Sequence, residues 1–509
     1  MLSKALSAGT SGIDAFLVEC EVDVAAGLPS TTVVGLPDVA VRESRERVKA
    51  ALTNSRYFYP PRRITVNLAP ADTKKEGPIF DLPIALGLLA ATGQAEMPRL
   101  ASFAAVGELA LDGAARPVAG VLPMALAVRE AGLAGIIVPW ENAPEAAVVH
   151  GVDCIPVKTL SQAVGFLSGE LPISAVEADL DSIFESDGRS EVDFSEVRGQ
   201  EHAKRALTIA AAGGHNVIMV GPPGAGKSML SRRLPTIMPR LSLEEALDTT
   251  KIYSVAGLMD GKPLLAVRPF RSPHHTISDA GLIGGGSNPR PGEVSLSHNG
   301  VLFLDELPEF NRRTLEVLRQ PLEDHTVTIA RAMHTVTYPA RFTLVAAMNP
   351  CPCGYYTDTR HECRCSPHRI AQYRSKVSGP LLDRIDIHLD VPAIQYRELA
   401  GRHSGTSSEE MTGLVRVARS IQTERFEGRR IFCNADMSTR DLRRHCRLDE
   451  ACEALLRHAI EELNFSARAY HKILKVARTI ADISVSDDIK KEHLLEAIQY
   501  RSLDREFVM

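Results

Sequence analysis

The spacing of apolar and polar residues changes several times along the chain, and the changes predict separate domains. In residues 1–170, short alternating or apolar runs predict strands at 17–24, 31–34, 63–68 and 135–139. Longer runs predict helices at 37–52 and 80–92. Because strands and helices mix here, we expect residues 1–170 to form an α/β domain.

Residues 171–196 separate this domain from the next. The segment is acidic, and its middle contains few large apolar residues. Such a segment is either a solvated linker between domains or a regulatory tail, and the linker is the simpler interpretation.

The rest of the chain predicts two further domains. Residues 197–395 repeat a strand–loop–helix pattern, with apolar strands at 216–220, 301–304 and 343–347. Apolar strands that alternate with helices are typical of a parallel sheet covered on both faces. Residues 405–509 are mostly helical in pattern and rich in Arg, Glu, Ala and Leu, which predicts a helical lid.

Composition excludes some classes of protein. Hydrophobic residues make up 44% of the 509 residues and the net charge is −5, so nucleic acid could bind only to a local basic surface. The longest apolar run, 82–92, is too short for the ~30 Å of a bilayer core. We therefore expect a cytoplasmic protein without a membrane partner. Nine cysteines in a long chain favour reduced thiols or a metal site over disulfides.

A phosphate-binding loop follows the first apolar strand of the second domain. Residues 216–228 are NVIMVGPPGAGKS, in which a strand leads directly into G-x-x-x-x-G-K-S. Glycines let consecutive backbone N–H groups turn toward phosphate oxygens, and the following helix adds the positive end of its dipole. Lys227 can reach the β- and γ-phosphates of ATP, and Ser228 can bind Mg²⁺. The other residues of the loop are Gly221, Pro222, Pro223, Gly224, Ala225 and Gly226.

Two carboxylates end the next apolar strand, in NGVLFLDE at 299–306. A Mg²⁺ ligand and a residue that orients the attacking water both belong at this edge of a P-loop domain. We predict that Asp305 binds Mg²⁺, directly or through water, and that Glu306 polarises the attacking water. A third strand leads to Asn349, which could contact the γ-phosphate, but Asn before Pro is also common in turns.

Four cysteines lie close together, in CPCGYYTDTRHECRC at 351–365. They form two C-x-C pairs separated by nine residues, namely Cys351, Cys353, Cys363 and Cys365. Four thiolates can bind Zn²⁺ tetrahedrally, and His361 and His368 are alternative ligands. The other interpretation is four reduced thiols in a loop.

Five longer stretches are more specific. They are RPFRSPHHTISDAGLIGGG at 268–286, HNGVLFLDELPEF at 298–310, AAMNPCPCGYY at 346–356, GPLLDRIDIHLDV at 379–391 and SARAYHKILKVARTIADI at 466–483. The chain closely resembles the ComM/YifB family of magnesium-chelatase-like AAA+ ATPases over nearly its whole length. These five stretches are the most specific parts of the resemblance. The resemblance implies an AAA+ P-loop core with a helical lid, which uses ATP and Mg²⁺ and assembles into a hexameric ring.

The resemblance also implies roles for three residues. Asn349 resembles sensor 1, Arg384 resembles an arginine finger that acts on a neighbouring subunit's ATP, and Arg468 resembles the sensor-2 arginine of the lid. Arginine suits both positions because its planar guanidinium can stabilise phosphate charge in the transition state. The alternative for each arginine is a surface or ion-pair role, and for Arg468 only the resemblance favours the catalytic one.

Two further segments resemble features of the chelatase and MCM-like branch. Residues 251–298 resemble a helix-2 insertion, and the glycines at 281 and 284–286 predict that it contains a mobile loop. Residues 326–341 resemble the hairpin before sensor 1, which in MCM-type rings points into the channel. Arg331 and His334 lie at its expected tip, where they either contact DNA phosphates or belong to a solvated turn.

Residues 1–170 resemble the proteolytic domain of Lon, most clearly in VGELALDGAARPVAGVLPMALAVREAGLAGIIVPWEN at 106–142. Ile79 and Leu122 occupy the positions of Lon's serine and lysine, and neither can act as nucleophile or base. The resemblance thus implies a Lon-protease-like α/β fold without peptidase activity. Several arginines of this domain could bind nucleic acid or pair with Glu43 and Glu46 on a helix face. These are Arg42, Arg45, Arg47, Arg62 and Arg63.

The motifs and the resemblance together predict an ATP-driven hexameric motor that acts on DNA. The ComM resemblance implies a helicase for branch migration in homologous recombination and natural transformation. The alternative is a magnesium-chelatase-like ATPase that remodels a protein partner, against which the Lon-like domain and the cysteine cluster argue. An ATP-dependent protease is excluded by Ile79 and Leu122.

Overall fold

The computed structural model describes residues 1–186, 192–286, 289–330, 335–356, 358, 361–393, 405–429, 431–463, 465–501 and 503. These residues divide into two compact units. The first unit contains Met1–Ser186, Leu243–Ala266 and the described part of Ala332–Tyr338. The second contains Asp187–Ser242, Val267–Arg331 and Pro339–Met509, as far as they are described.

The first 186 residues contain nine strands and six helices. The strands are β1 Leu2–Ser11, β2 Asp14–Ala25, β3 Ser30–Val34, β4 Arg63–Ala69, β5 Phe103–Ala105, β6 Glu108–Leu109, β7 Ala115–Arg116, β8 Gly135–Pro139 and β9 Asp153–Val157. The helices are α1 Val39–Asn54, α2 Asp81–Thr92, α3 Val121–Glu130, α4 Ala143–Ala146, α5 Leu160–Ser168 and α6 Leu180–Ser186.

The first unit is built on a seven-stranded mixed sheet with the strand order β3-β4-β2-β1-β5-β8-β9. The hairpin β1–β2 and the pair β2–β4 are antiparallel, whereas β5, β8 and β9 run parallel. Helix α2 is buried along nearly all of its length, since its sequence is apolar on every side. The predicted strands and helices of this region are confirmed. Strand β1 was not predicted, because small and polar residues such as Ala5, Ser7 and Ala8 occupy its buried positions.

The acidic segment is only partly solvated. Val176 donates its backbone N–H to the carbonyl of Cys154, and Ile173 and Val176 pack against the core of the first unit. Helix α6 follows, and Phe194 is fully buried in the core of the second unit. Scattered apolar residues therefore fix both ends of a segment whose composition alone favours a linker.

Among the residues that the structure describes, the middle of the chain contains the next nine strands and nine helices. The strands are β10 Val217–Val220, β11 Phe270–Arg271, β12 Gly284–Gly285, β13 Arg290–Pro291, β14 Val301–Leu304, β15 Thr326–Ala330, β16 Thr335–Pro339, β17 Thr343–Met348 and β18 Ile387–Asp390. The helices are α7 Glu201–Gly213, α8 Lys227–Ile237, α9 Leu243–Ala256, α10 Asp279–Ile283, α11 Glu293–Leu296, α12 Arg312–Glu316, α13 Pro321–Asp324, α14 Pro367–Arg374 and α15 Gly379–Leu382.

The second unit contains a five-stranded sheet with the order β11-β14-β17-β10-β18, and all of its strands are parallel. Strands β10, β14 and β17 are buried throughout, as their apolar sequences predict. Val345 is paired with Val217 on one side and with Phe303 on the other. The carboxyl ends of the three strands therefore open onto the same edge of the sheet, where ligands bind in open α/β sheets.

The segment predicted to be a helical lid contains α16 Ser408–Arg425, α17 Thr439–His445, α18 Glu450–Leu463, α19 Ala467–Ile483 and α20 Lys491–Gln499. Helix α19 buries Ile473, Ala477 and Ile480 in the hydrophobic core that the lid shares with the sheet. The side chain of Thr479 on α19 lies 2.8 Å from Nε2 of the buried His215, which precedes β10. The helical pattern predicted for this region is confirmed, and α19 is attached directly to the segment that leads into the parallel sheet.

The expectation of a mobile glycine loop in residues 251–298 is wrong for the part that the structure describes. Leu282 on α10 is fully buried, and β12 pairs antiparallel with β13. A Cβ atom on Gly284 would lie 2.4 Å from the carbonyl oxygen of Arg290. Glycine is therefore used here for close backbone packing, which a sequence pattern does not distinguish from mobility.

Strands β15 and β16 confirm the two strands predicted in residues 326–341. Arg331 and His334, the residues expected at its tip, lie outside the described residues.

Candidate nucleotide-binding site

The phosphate-binding loop lies between the end of β10 at Val220 and the start of α8 at Lys227. Gly224 and Gly226 have φ angles of 76° and 91°, in the left-handed region that favours glycine. A Cβ atom on either residue would have no neighbour within 4 Å, so the described residues leave the inside of the loop open. Gly221 is needed for a different reason, because a Cβ atom there would lie 2.1 Å from the carbonyl oxygen of Val391.

The ammonium group of Lys227 points into this loop. Its Nζ donates to the carbonyl oxygens of Gly221 at 2.6 Å and Pro222 at 3.0 Å, and to Oδ1 of Asn349 at 3.2 Å. Burial lowers the pKa of Lys227 to about 8, although the negative charges of Asp305 and Glu306 oppose this shift. The loop therefore holds a partly desolvated cation, whose charge a bound phosphate would stabilise.

The two residues predicted to bind Mg²⁺ are in direct contact. The hydroxyl of Ser228 donates to Oδ2 of Asp305 at 2.7 Å, and Asp305 Oδ1 accepts the backbone N–H of Glu306. One hydroxyl and one carboxylate beside a lysine form the oxygen donor set that Mg²⁺ uses in nucleotide sites, where phosphates and waters complete the coordination. The residues present therefore fit a Mg²⁺–nucleotide complex.

Glu306 sits at a strained position at the edge of the sheet. Its φ angle of 52° is in the left-handed region, which is uncommon for a residue other than glycine. Its side chain is 57% exposed, so the carboxylate is accessible to water. This is the geometry that the predicted water-polarising role requires, and the role itself stays a prediction.

His275 is a neighbour of Glu306 that the sequence interpretation missed. Its Nδ1 lies 3.6 Å from Oε2 of Glu306, and its ring packs edge-on against Phe310 and close to the ring of His274. Strand β11 lies beside β14 in the sheet, and this adjacency brings the segment after β11 to the site. The available signal was the sequence SPHHT, inside the longest stretch that carries the family resemblance.

Arg384 and Arg468 lie together beside Glu323, away from the phosphate-binding loop. Nη2 of Arg384 lies 2.7 Å from Oε1 of Glu323, and Nη2 of Arg468 lies 3.7 Å from the same oxygen. Arg384 also donates to the carbonyl of Pro380. Among the described contacts, neither arginine reaches Lys227, Ser228, Asp305, Glu306 or Asn349. The structure thus gathers the predicted residues into two groups, five on the phosphate-binding side and two at Glu323.

The four clustered cysteines meet at one point. Their sulfur atoms lie within 4.8 Å of one another, and the three S···S distances among Cys351, Cys353 and Cys363 are 3.3, 3.6 and 3.7 Å. Tetrahedral Zn²⁺ with bonds of ~2.3 Å needs sulfur atoms ~3.8 Å apart, so the cluster fits zinc. His361 instead pairs with Asp358 at 3.5 Å. The other five cysteines are buried thiols, as expected.

The cysteine cluster adjoins the phosphate-binding loop. A Cβ atom on Gly354 would lie 2.7 Å from Cδ of Pro223 and 3.9 Å from Cγ of Asn349. The loop that carries Cys351 and Cys353 is therefore in contact with both sides of the nucleotide site.

In the first unit, the two apolar residues that were compared with the serine and lysine of Lon are buried. Ile79 is 6% exposed and Leu122 is fully buried. On the same domain, Arg47 binds the buried carboxylate of Asp81 at 2.6 Å and lies 3.9 Å from Glu43. Arg45 pairs with Glu46 at 2.9 Å. Ion pairs thus account for two of the five arginines, while Arg42, Arg62 and Arg63 are exposed.

Three family models match the chain, each over a different segment. They are "Magnesium chelatase, subunit ChlI" at 193–399, "Subunit ChlI of Mg-chelatase" at 20–142 and "Magnesium chelatase, subunit ChlI C-terminal" at 405–501. The chain is also 44% identical over 508 residues to "Competence protein ComM" of Haemophilus influenzae, covering 99% of this chain and 98% of that protein. The chain belongs to the ComM/YifB family of magnesium-chelatase-like AAA+ ATPases.

Two further relatives extend this comparison. "Uncharacterized protein YifB" of Escherichia coli is 43% identical over 501 residues, covering 97% of this chain and 96% of that protein. "DNA replication licensing factor mcm7" of Schizosaccharomyces pombe is 24% identical over 225 residues, covering 41% of this chain and 26% of that protein. Throughout the described residues, every helix is too short or too polar to span a membrane.

Proposed function

We propose that this protein is an ATP-hydrolysing motor that acts on DNA as a hexameric ring, as a helicase for branch migration. The observation that carries the ATPase part is the convergence of Lys227, Ser228, Asp305, Glu306 and Asn349 on one edge of a parallel sheet. Lys227 and the loop amides would bind the phosphates, and Ser228 and Asp305 would hold Mg²⁺. Glu306 would orient the attacking water.

The proposed action on DNA is supported by the names of similar proteins. A near-full-length relative is named as a competence protein, and a partial relative is named as a DNA replication licensing factor. Competence is the uptake of DNA, and a motor that moves branch points would serve the integration of that DNA. The proposed DNA contacts are Arg331 and His334, which the sequence places at the expected tip of a hairpin, and the exposed arginines of the first unit.

A second candidate is a chelatase-like motor that remodels a protein partner. The family model over residues 20–142 carries the description of the chelatase subunit, so the N-terminal domain alone does not separate the two candidates. We favour DNA because the near-full-length similarity is to a competence protein.

We also propose that Cys351, Cys353, Cys363 and Cys365 bind a structural Zn²⁺. The ion would hold the loop that contacts Pro223 and Asn349 in one conformation. Residues 1–170 would be a Lon-protease-like domain without peptidase activity that serves in assembly or substrate contact. The remaining divisions would be a linker at 171–196, the ATPase core at 197–395 and the lid at 405–509.

The test is the ATPase rate of the full chain with no DNA, with duplex, with forked and with four-way DNA. We expect forked or four-way DNA to stimulate hydrolysis. Glu306→Gln should bind ATP normally and hydrolyse it very slowly, and near-normal turnover would refute its assignment. A protein that hydrolyses ATP without any response to DNA would contradict the DNA motor and favour the chelatase-like candidate.

A further inference from the structure

One carboxylate joins the two arginines that lie away from the phosphate-binding loop. Glu323 is on the short helix α13, Arg384 follows α15, and Arg468 is in the first turn of lid helix α19. Oε1 of Glu323 lies 2.7 Å from Arg384 and 3.7 Å from Arg468. Three elements that are far apart in the sequence thus bring two guanidinium groups to a single oxygen atom.

The surrounding contacts hold Arg384 beside this carboxylate and hold the helix that carries Arg468 against the core. The side chain of Arg384 is only 9% exposed, and the carbonyl of Pro380 accepts from its Nη1 at 2.6 Å. Lys472 pairs with the buried Asp386 at 2.6 Å and lies 3.4 Å from the carbonyl of Arg384. Lys472 is one helical turn after Arg468, so this pair holds the face of α19 that carries Arg468 against the core.

The shared carboxylate matters because two guanidinium groups repel each other when they are brought together. Glu323 supplies a negative charge to both groups: one nitrogen of Arg384 lies within hydrogen-bond distance of its carboxylate, at 2.7 Å, and one nitrogen of Arg468 lies at ion-pair distance, at 3.7 Å. Each guanidinium has five N–H donors, so donors that neither Glu323 nor the carbonyl of Pro380 uses are left for another ligand, above all on Arg468, whose side chain is 55% exposed. Glu323 is itself 48% exposed, which places the group at the surface of the subunit.

We propose that Glu323 is a positioning residue that holds Arg384 and Arg468 together as one phosphate-binding pair for the nucleotide of a second copy of this chain. The inference rests on the proposed function, because it requires an ATP site that is completed by a neighbouring subunit. Glu323 does not contact the phosphates. It fixes the separation and orientation of the two guanidinium groups, and thereby couples the lid to the core at the subunit surface.

The test is a double-mutant cycle on the turnover number of the full chain, with Glu323→Ala, Arg384→Ala and the double variant. Displacement of a catalytic group by about 1 Å costs about 10²-fold in rate, so Glu323→Ala should lower turnover by about 10- to 100-fold. In the Arg384→Ala background it should change turnover by less than about twofold, because without Arg384 no pair of guanidinium groups is left for Glu323 to hold together. Affinity for a fluorescent ATP analogue should change in neither variant.

Asp324→Asn is the matched control, since it removes one negative charge from the neighbouring exposed position and should leave turnover unchanged. Glu323→Gln keeps the size and an acceptor oxygen, and serves if the alanine variant does not fold. Unchanged or increased turnover in the Glu323 variants, or equal losses in both backgrounds, would overturn the positioning role. The unmodified chain tests the proposed function separately, because its failure to hydrolyse ATP would refute that function whatever the variants do.

Discussion

A mixture of two inactive variants should recover activity if each ATP site is built from two subunits. The structure separates the predicted residues, with Glu306 beside the phosphate-binding loop and Arg384 at Glu323. Glu306→Gln should abolish hydrolysis at the subunit's own loop. Arg384→Ala should do so at the loop of its neighbour, with a loss on the order of 10³-fold or more. Each pure variant is then inactive for a different reason.

The expected recovery follows from the geometry of a ring with head-to-tail interfaces. In an equal mixture, half of the sites carry an intact Glu306, and half of those face an intact Arg384. About a quarter of the wild-type rate should therefore return if subunits mix at random and sites act independently. The assay is phosphate release at fixed total protein, with each pure variant and a mixture of each with wild type as controls.

A mixture no more active than its components, with subunit exchange verified by a labelled subunit, would refute a shared site. An Arg384→Ala variant with normal turnover would refute the assignment of the arginine itself. Arg384→Lys is the matched variant that keeps the charge. We expect it to remain strongly impaired, because a lysine cannot reproduce the planar pair of donors.

Three further predictions concern separate parts of the second unit. Lys227 has a pKa of about 8 that a bound triphosphate should raise, so ATP binding should take up protons near pH 8 and weaken as pH rises. Calorimetry in two buffers of different ionisation enthalpy measures the uptake, and no difference between buffers would contradict it. Protein purified without chelator should contain one Zn²⁺ that Cys363→Ser loses, whereas metal-free wild type would contradict the zinc site. Asp386→Ala should lower the free energy of unfolding by about 3–5 kcal/mol, because Lys472 and the backbone N–H of Asn216 lose a buried partner. Asp488→Ala is the exposed control. If urea unfolding gave the two variants the same free energy of unfolding, this account would be contradicted.

The sequence predicted the parts of the fold that depend on local patterns. Strands β10, β14 and β17 are short continuous apolar runs between polar turns, and their length and flanking turns favour buried strands of a parallel sheet over helices. The phosphate-binding loop was predictable because its glycines and Lys227 are consecutive. Contact between Ser228 and Asp305, 77 residues apart, was predictable because both follow strands of one parallel sheet.

The features that were missed depend on tertiary adjacency. His275 approaches Glu306 only because β11 pairs with β14, and β11 is two residues long and carries little sequence signal. Arg384, Arg468 and Glu323 lie on three elements that are far apart in the sequence. No sequence pattern in one of these elements predicts its contact with the other two. The glycines after α10 were interpreted as mobile because the same residue serves both flexible loops and tight backbone packing.

The most direct test of the central claim is the dissociation of a labelled four-way DNA junction by the full chain. With ATP and Mg²⁺, the account predicts that the junction separates into forked duplexes, and that Glu306→Gln binds the junction without separating it. Intact junctions in the presence of active ATP hydrolysis would contradict a motor that acts on branched DNA.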